Sequence, residues 1–234
     1  PTTLLSQVDA SIGGKLGIDF MQVKNSIGVF NNPQMVVVNP DFLKTLSRAE
    51  IRSGFAEIIK HSLIADASEW QRIQQMKVID QIDWTDLIEP SLQIKKQVVE
   101  TDPFEHGLRK ALNFGHTIGH ALEGYALETD QPLLHGEAIA IGMVCEAYLS
   151  HLNSHLSEAA LMDIVAFFKH TYDYWPIPLE AFEDFLSLMR NDKKNKGRDI
   201  NFSFIPQAGT VKVNQTADEE QIRQSFYFYN EMAR

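Results

Sequence analysis

Glu57, His116 and His135 are the residues of this chain best suited to chemistry: one carboxylate and two imidazoles from distant stretches, with no cysteine beside them. That donor set suits a borderline divalent ion such as zinc. Three protein ligands leave a fourth position for water or substrate, as in a catalytic metal site rather than a structural one. His116 lies in the run Asn113-Phe-Gly-His-Thr-Ile-Gly-His120, and His135 opens His135-Gly-Glu137. A single histidine on a helix is more often packed or solvated than a ligand, so its company decides. Asn113, His116, His120 and Glu123 advance by three and four, which puts them on one face of a predicted helix, flanked by Phe114, Ile118, Ala121 and Leu122. A polar stripe within an apolar helix needs partners. Gly115 and Gly119 beside it suit a place where another backbone or a ligand comes close.

Cations stand near these residues. Lys15, Lys24, Lys60, Lys95, Arg109 and either Lys193 or Lys194 occupy glycine-rich, acidic or strand-turn contexts. Any one alone reads as a solvated charge, but Lys15 follows Gly13 and Gly14, where backbone amides can join an ammonium in cradling an anion. Lys60 is one turn beyond Glu57, and Arg109 precedes His116 by seven residues. A metal ringed by cations fits an anionic substrate carrying both a phosphate and a carboxylate.

The elements that must position these groups are mostly helices. Ser47 and Glu50 have capping-box spacing, and Ile51, Phe55, Ile58, Ile59 and Leu63 follow at helical intervals, which leaves Glu57, Lys60 and His61 on the less apolar side. Further helices are predicted over 69–76, 84–100, 113–125, from His135 to about Leu152, over 157–170 and 179–190, and from Asp218 onward. Ile200, Phe202 and Phe204 alternate with Asn201 and Ser203, and with the turn at Gln207-Ala-Gly209 and the return Val211-Lys-Val213 they predict a hairpin. Met35-Val-Val-Val38 reads as a buried strand. A lone strand needs a sheet, so the chain is expected to be a cut piece of a longer protein.

Composition bounds the rest. The 234 residues are 44% hydrophobic, enough for one good core or one domain and part of another. A net charge of −10 and a pI near 5.2 argue against a nucleic-acid or membrane-surface role. The single cysteine, Cys145, precludes a disulfide within the chain and fits a reducing, cytoplasmic setting. No apolar run is long enough to span a membrane, and repeats and low-complexity segments are absent.

The motifs together resemble the 3-dehydroquinate synthase family of sugar-phosphate cyclases. They are Gln7-Val-Asp-Ala-Ser-Ile-Gly-Gly-Lys15, Lys24-Asn25 before Ile27-Gly28, Phe42-Leu-Lys-Thr45, Gly54-Phe-Ala-Glu-Ile-Ile-Lys60, Gly107-Leu-Arg109, Leu112 to His120, His135-Gly-Glu137 and Asp192-Lys-Lys194, in family order over most of the chain. Leu16 stands where the family usually has threonine and Asp19 where asparagine is common.

The resemblance implies a mainly α fold. A helical metal- and substrate-binding domain over 41–234, with a small C-terminal β-hairpin, is preceded over 1–40 by the remnant of an α/β NAD-binding domain. It implies zinc or cobalt on Glu57, His116 and His135, and catalytic roles for His120, Lys15, Asp9 and Lys60. Substrate contacts fall on Lys95, Arg109, Asn113, Asn25 and Lys193, with Lys194 an alternative to the last. Thr2, Thr3, Lys24, Asn25, Phe42, Leu43, Lys44 and Thr45 match the fringe of the NAD site. The reaction implied is conversion of 3-deoxy-D-arabino-heptulosonate 7-phosphate to 3-dehydroquinate and phosphate, in the shikimate pathway, by a cytoplasmic homodimer. Another sugar-phosphate cyclase, a metal-dependent glycerol or alcohol dehydrogenase, and a non-catalytic metal-binding domain are the alternatives. The piece alone is expected to bind metal without turnover, because hydride transfer needs the nucleotide platform.

Overall fold

Ser47 begins the helix that organises the molecule: its Oγ accepts the Glu50 amide at 3.3 Å and opens α1 (Arg48–Ala65). From Ser53 to Ile64 every residue of α1 is buried, Glu57, Lys60 and His61 included. The less apolar side expected from the sequence therefore faces no solvent; it is covered by neighbouring elements and holds its charges in the interior. Those charges form the site described below.

In the computed structural model, residues 1–20, 23–76, 82–190 and 200–234 are described, with the side chains of 19–26 left out. After α1 come α2 (Ala67–Gln74), α3 (Trp84–Thr101), α4 (His116–Ala126), α5 (His135–Ser154), α6 (Glu158–Thr171) and α7 (Phe182–Arg190). The hairpin β3 (Asn201–Gln207) and β4 (Thr210–Thr216) and then α8 (Glu219–Met232) close the chain. The N-terminal hairpin takes the labels β1 (Lys15–Phe20) and β2 (Val23–Phe30). Inside α3, Pro90 has no amide for the Asp86 carbonyl, and Arg72 Nη2 supplies the missing donor at 2.9 Å.

The helix α5 is the second pillar, packed on α1, α4, α6, α8 and β3. Its contact with α4 is backbone to backbone. Gly115 has φ +78°, and a Cβ at Gly142 would lie 2.0 Å from the Gly115 carbonyl oxygen. Only glycine fits at both positions, which is the close approach the sequence predicted beside the polar stripe. Helix α4 starts at His116, so Asn113 is not on it: Leu108–Asn113 is a separate 3₁₀ turn. The left-handed Gly115 breaks the periodicity between them, and the stripe on α4 is His116, His120 and Glu123.

One strand expectation needs correction. Met35 and Val37 are 75% and 68% exposed, and residues 35–38 form no strand. A β-branched run becomes a strand only where a neighbour takes its ladder, and none of the described strands runs beside it. The strand content of the N-terminal part is instead β1 and β2, antiparallel, with Leu16 opposite Val29 and Ile18 opposite Ile27. The hairpin of β3 and β4 forms as expected, but Phe202, Ser203, Phe204 and Ile205 are all buried, so the strand is covered on both faces. Ser203 satisfies its hydroxyl there by donating to the Lys110 carbonyl at 2.7 Å.

Candidate metal and substrate site

Glu57 leaves the middle of α1, His116 is the first residue of α4, and His135 is the first residue of α5. The three meet. Glu57 Oε1 lies 3.5 Å from His116 Nε2 and 3.7 Å from His135 Nε2. Two ligands bonded at about 2.1 Å to a tetrahedral ion stand roughly 3.4 Å apart, so these are spacings of donors around a shared ion. Glu57 Oε1 is buried and has no hydrogen-bond partner, a costly state for a carboxylate oxygen unless a cation meets it. The other oxygen, Oε2, accepts from the Lys60 ammonium. Burial works against the Glu57 carboxylate, but Lys60 and His135 outweigh it and hold its pKa below the usual value.

Each imidazole is anchored at its far nitrogen. His116 Nδ1 lies 3.1 Å from the Phe114 carbonyl, and His135 Nδ1 lies 3.1 Å from Glu123 Oε2. Such partners fix Nδ1 as the protonated nitrogen and leave Nε2 for a metal. Burial disfavours the His135 imidazolium, but Glu123 and Glu57 override this and raise its pKa to about 9. His120, one turn along α4, packs edge-on against His116 and tilted beside His135, with ring centroids 5.1 Å and 5.7 Å away. The three histidines also form a candidate donor set. His120 thus stands at the ring of ligands, placed either to complete it or to move a proton beside it.

A second polar layer lies between α1 and α3. Lys95 donates to Asp9 Oδ1 at 2.6 Å and to the Asp9 carbonyl. Burial alone would raise the Asp9 pKa, but the charges of Lys95, Lys60 and His61 hold it well below the carboxylate range. Asp9, Glu57 and His61 are close enough to suggest another cation site, but Lys60 and Lys95 already balance the two carboxylates.

His61 is wholly buried, with Nδ1 2.7 Å from Ser91 Oγ. Burial, aided by Lys60, lowers its pKa from 6.5 to about 3. Between those values the unfolded chain binds a proton that the folded one refuses, so stability falls as the pH is lowered through this window. Replacing His61 with asparagine is expected to flatten that acid limb. Urea unfolding of both proteins from pH 6.5 to 3 checks it, and equal slopes would assign the limb to other groups.

Arg109 is buried, with Nη1 2.5 Å from the Pro103 carbonyl and Nη2 2.8 Å from that of Gly13, while its buried Nε has no hydrogen-bond partner. Lys15 pairs with Glu105 Oε2, while Asn113 Nδ2 donates to Glu105 Oε1 at 2.7 Å. An expected catalytic lysine and an expected substrate contact therefore share one carboxylate that the sequence did not single out. Its signal was an acidic residue in the loop ahead of Gly107-Leu-Arg109.

Among the expected nucleotide contacts, Thr3 is engaged in a local turn with Ser6, Phe42 is half exposed, and Leu43 is in the core. Lys44 pairs with Asp41 at 2.7 Å, and Thr45 Oγ1 lies 3.5 Å from the Phe42 carbonyl. Thr2 is exposed. The side chains of Lys24 and Asn25, and all of Lys193 and Lys194, lie outside the described residues.

The fold is that of solved sugar-phosphate cyclases. A 2-epi-5-epi-valiolone synthase from Streptomyces hygroscopicus subsp. jinggangensis, solved with NAD+ and Zn2+, superposes with a TM-score of 0.87 at 25% identity, covering 99% of this chain and 65% of that one. A 2-deoxy-scyllo-inosose synthase, solved with carbaglucose-6-phosphate, NAD+ and Co2+, shares the fold with a TM-score of 0.81 at 20% identity, over 99% of this chain and 65% of its own. The family described as 3-dehydroquinate synthase C-terminal matches residues 54–195, and that described as 3-dehydroquinate synthase N-terminal matches residues 1–53. The chain belongs to the 3-dehydroquinate synthase family. It is 42% identical to the 3-dehydroquinate synthase of Parabacteroides distasonis over 99% of this chain, and 38% identical to that of Alkaliphilus metalliredigens over 94%. It spans 66% and 62% of the lengths of those two relatives.

Proposed function

We propose that this chain supplies the metal and substrate site of a 3-dehydroquinate synthase, a phosphorus–oxygen lyase that converts 3-deoxy-D-arabino-heptulosonate 7-phosphate to 3-dehydroquinate and phosphate. The observation that carries the reading is the buried, unpartnered Glu57 Oε1 facing the Nε2 atoms of both His116 and His135. Those three donors would hold zinc or cobalt. Bound there, the ion would supply charge stabilisation for an alkoxide on the substrate ring, and NAD would supply a transient hydride acceptor.

The chain's own residues do the rest. His120, against the ligand ring, is the group to carry a proton to or from the substrate. Lys60, buried on Glu57, fixes that carboxylate and keeps positive charge beside the reacting centre, and Asp9 and Lys95 extend the polar wall. Lys15, Asn25 and Lys193 would grip the phosphate, Lys95 and Arg109 the carboxylate, and Asn113 a ring substituent. Residues 1–40 would complete the nucleotide side, with Thr2, Thr3, Lys24, Asn25 and Phe42 to Thr45 at its fringe, and residues 41–234 form the helical domain. No described helix is long and apolar enough to cross a membrane, and a cytoplasmic homodimer is the setting proposed.

Phosphate release by the enzyme containing this chain, supplied with NAD and zinc, tests the reading. It is expected with the seven-carbon acid phosphate, to stop on chelation and to return with zinc or cobalt. Faster turnover of a sugar phosphate lacking the carboxylate would overturn it in favour of another cyclase, and NADH accumulation without phosphate release in favour of a dehydrogenase.

A further inference from the structure

We propose that Glu123 is a positioning residue of the metal centre, holding the His135 ring by its Nδ1–H so that Nε2 stays on the metal. The inference rests on the metal reading above and extends it to a residue that the proposed chemistry does not otherwise use.

Three observations carry it. Glu123 is nearly buried on α4, and its Oε2 is 3.1 Å from His135 Nδ1 while the opposite nitrogen of the same ring points at Glu57. A buried carboxylate placed against the outer nitrogen of a ligand fixes its tautomer and raises its basicity. His135 also needs such a partner more than His116 does. It is the first residue of α5, after a loop, and its side chain is 25% exposed, against 11% for His116, whose Nδ1 is held by the Phe114 carbonyl of its own local chain. The two anchors differ in kind, a neutral carbonyl for one imidazole and a carboxylate for the other, so the ligands are electronically unequal. Finally, Glu123 lies on the helix that carries His116 and His120, seven residues after the first and three after the second. One rigid element therefore presents one ligand, the candidate proton carrier and the support of the other ligand.

The test is zinc affinity of the metal-free protein, measured by chelator competition, together with the visible absorption of the cobalt form. Glu123→Ala is expected to weaken zinc about 10- to 100-fold and to alter the cobalt spectrum. Glu123→Gln, which keeps an acceptor for Nδ1–H but no charge, is expected to recover most of the spectrum and part of the affinity. A merely structural role would move the thermal midpoint and leave both metal readouts at their original values. If Glu123→Ala does not fold, Glu123→Gln decides alone: zinc affinity and cobalt spectrum both unchanged would overturn the proposal. Failure of the underlying metal reading looks different, since the unaltered protein would then bind no stoichiometric zinc, or would bind it equally well as His135→Ala.

Discussion

Replacing Glu57 with alanine is expected to cost the fold about 3–5 kcal/mol and to abolish tight zinc binding, and a second substitution separates the two losses. Lys60 is 1% exposed and its ammonium rests on Glu57 Oε2. Removing the carboxylate leaves that charge buried without its counter-ion, which is far worse than having neither group. Changing Lys60 to methionine in the same protein removes the orphaned charge and keeps a side chain of similar length in the core. The double variant Glu57→Ala, Lys60→Met is therefore expected to recover most of the stability in urea unfolding, while zinc affinity stays low because two imidazoles have lost their anionic co-ligand. Wild-type zinc affinity in the double variant would show that the ion sits instead among His116, His120 and His135, the overlapping donor set.

The sequence revealed this centre because its residue types are scarce and their surroundings unusual. Glu57, His116 and His135 needed only to be recognised as donors; helix packing brings them together. The capped start of α1, the apolar length of α5 and the return of β3 into β4 were legible from local signals that tertiary structure did not override. Other features depend on partners that no local pattern names. Leu16, Ile18, Ile27 and Val29 alternate at strand period, but only their antiparallel pairing, which no local pattern names, makes a hairpin of them. Met35 to Val38 has the composition of a buried strand and lies exposed, because composition does not supply a neighbouring ladder. Asn113 keeps helical spacing with His116, but the positive φ of Gly115 between them starts a new element. The partners of Glu105 and Glu146 were not legible in the sequence, since what each carboxylate accepts from is decided by chain segments 8 to 90 residues away.

Glu146 carries the second large effect. It is fully buried on α5, and its two oxygens take the first amides of α4: Oε2 accepts Gly115 N at 2.8 Å, and Oε1 accepts Thr117 N at 3.0 Å and Ile118 N at 3.2 Å. The residue preceding α4 is Gly115, which has no side chain to cap the helix, so the cap comes across the interface from a neighbouring helix. A carboxylate suits that place because the amides and the helix dipole both favour negative charge. Glu146→Ala is expected to lower stability by about 3 kcal/mol or more, as several buried N–H groups lose their acceptor together. Glu146→Gln is expected to lose less, because one acceptor oxygen survives while the amide nitrogen faces a donor. Urea unfolding measures both, and a loss within about 1 kcal/mol for the alanine variant would contradict the assignment. The consequence reaches the metal. His135 and Glu146 are eleven residues apart on one helix, about 16 Å along its axis, and Glu146 ties that helix to the first turn of the element that begins with His116. The spacing of the two imidazoles is thus set partly by a carboxylate three turns from His135 and bonded to the amides on either side of His116, and zinc affinity should fall in the alanine variant even under conditions where it remains folded.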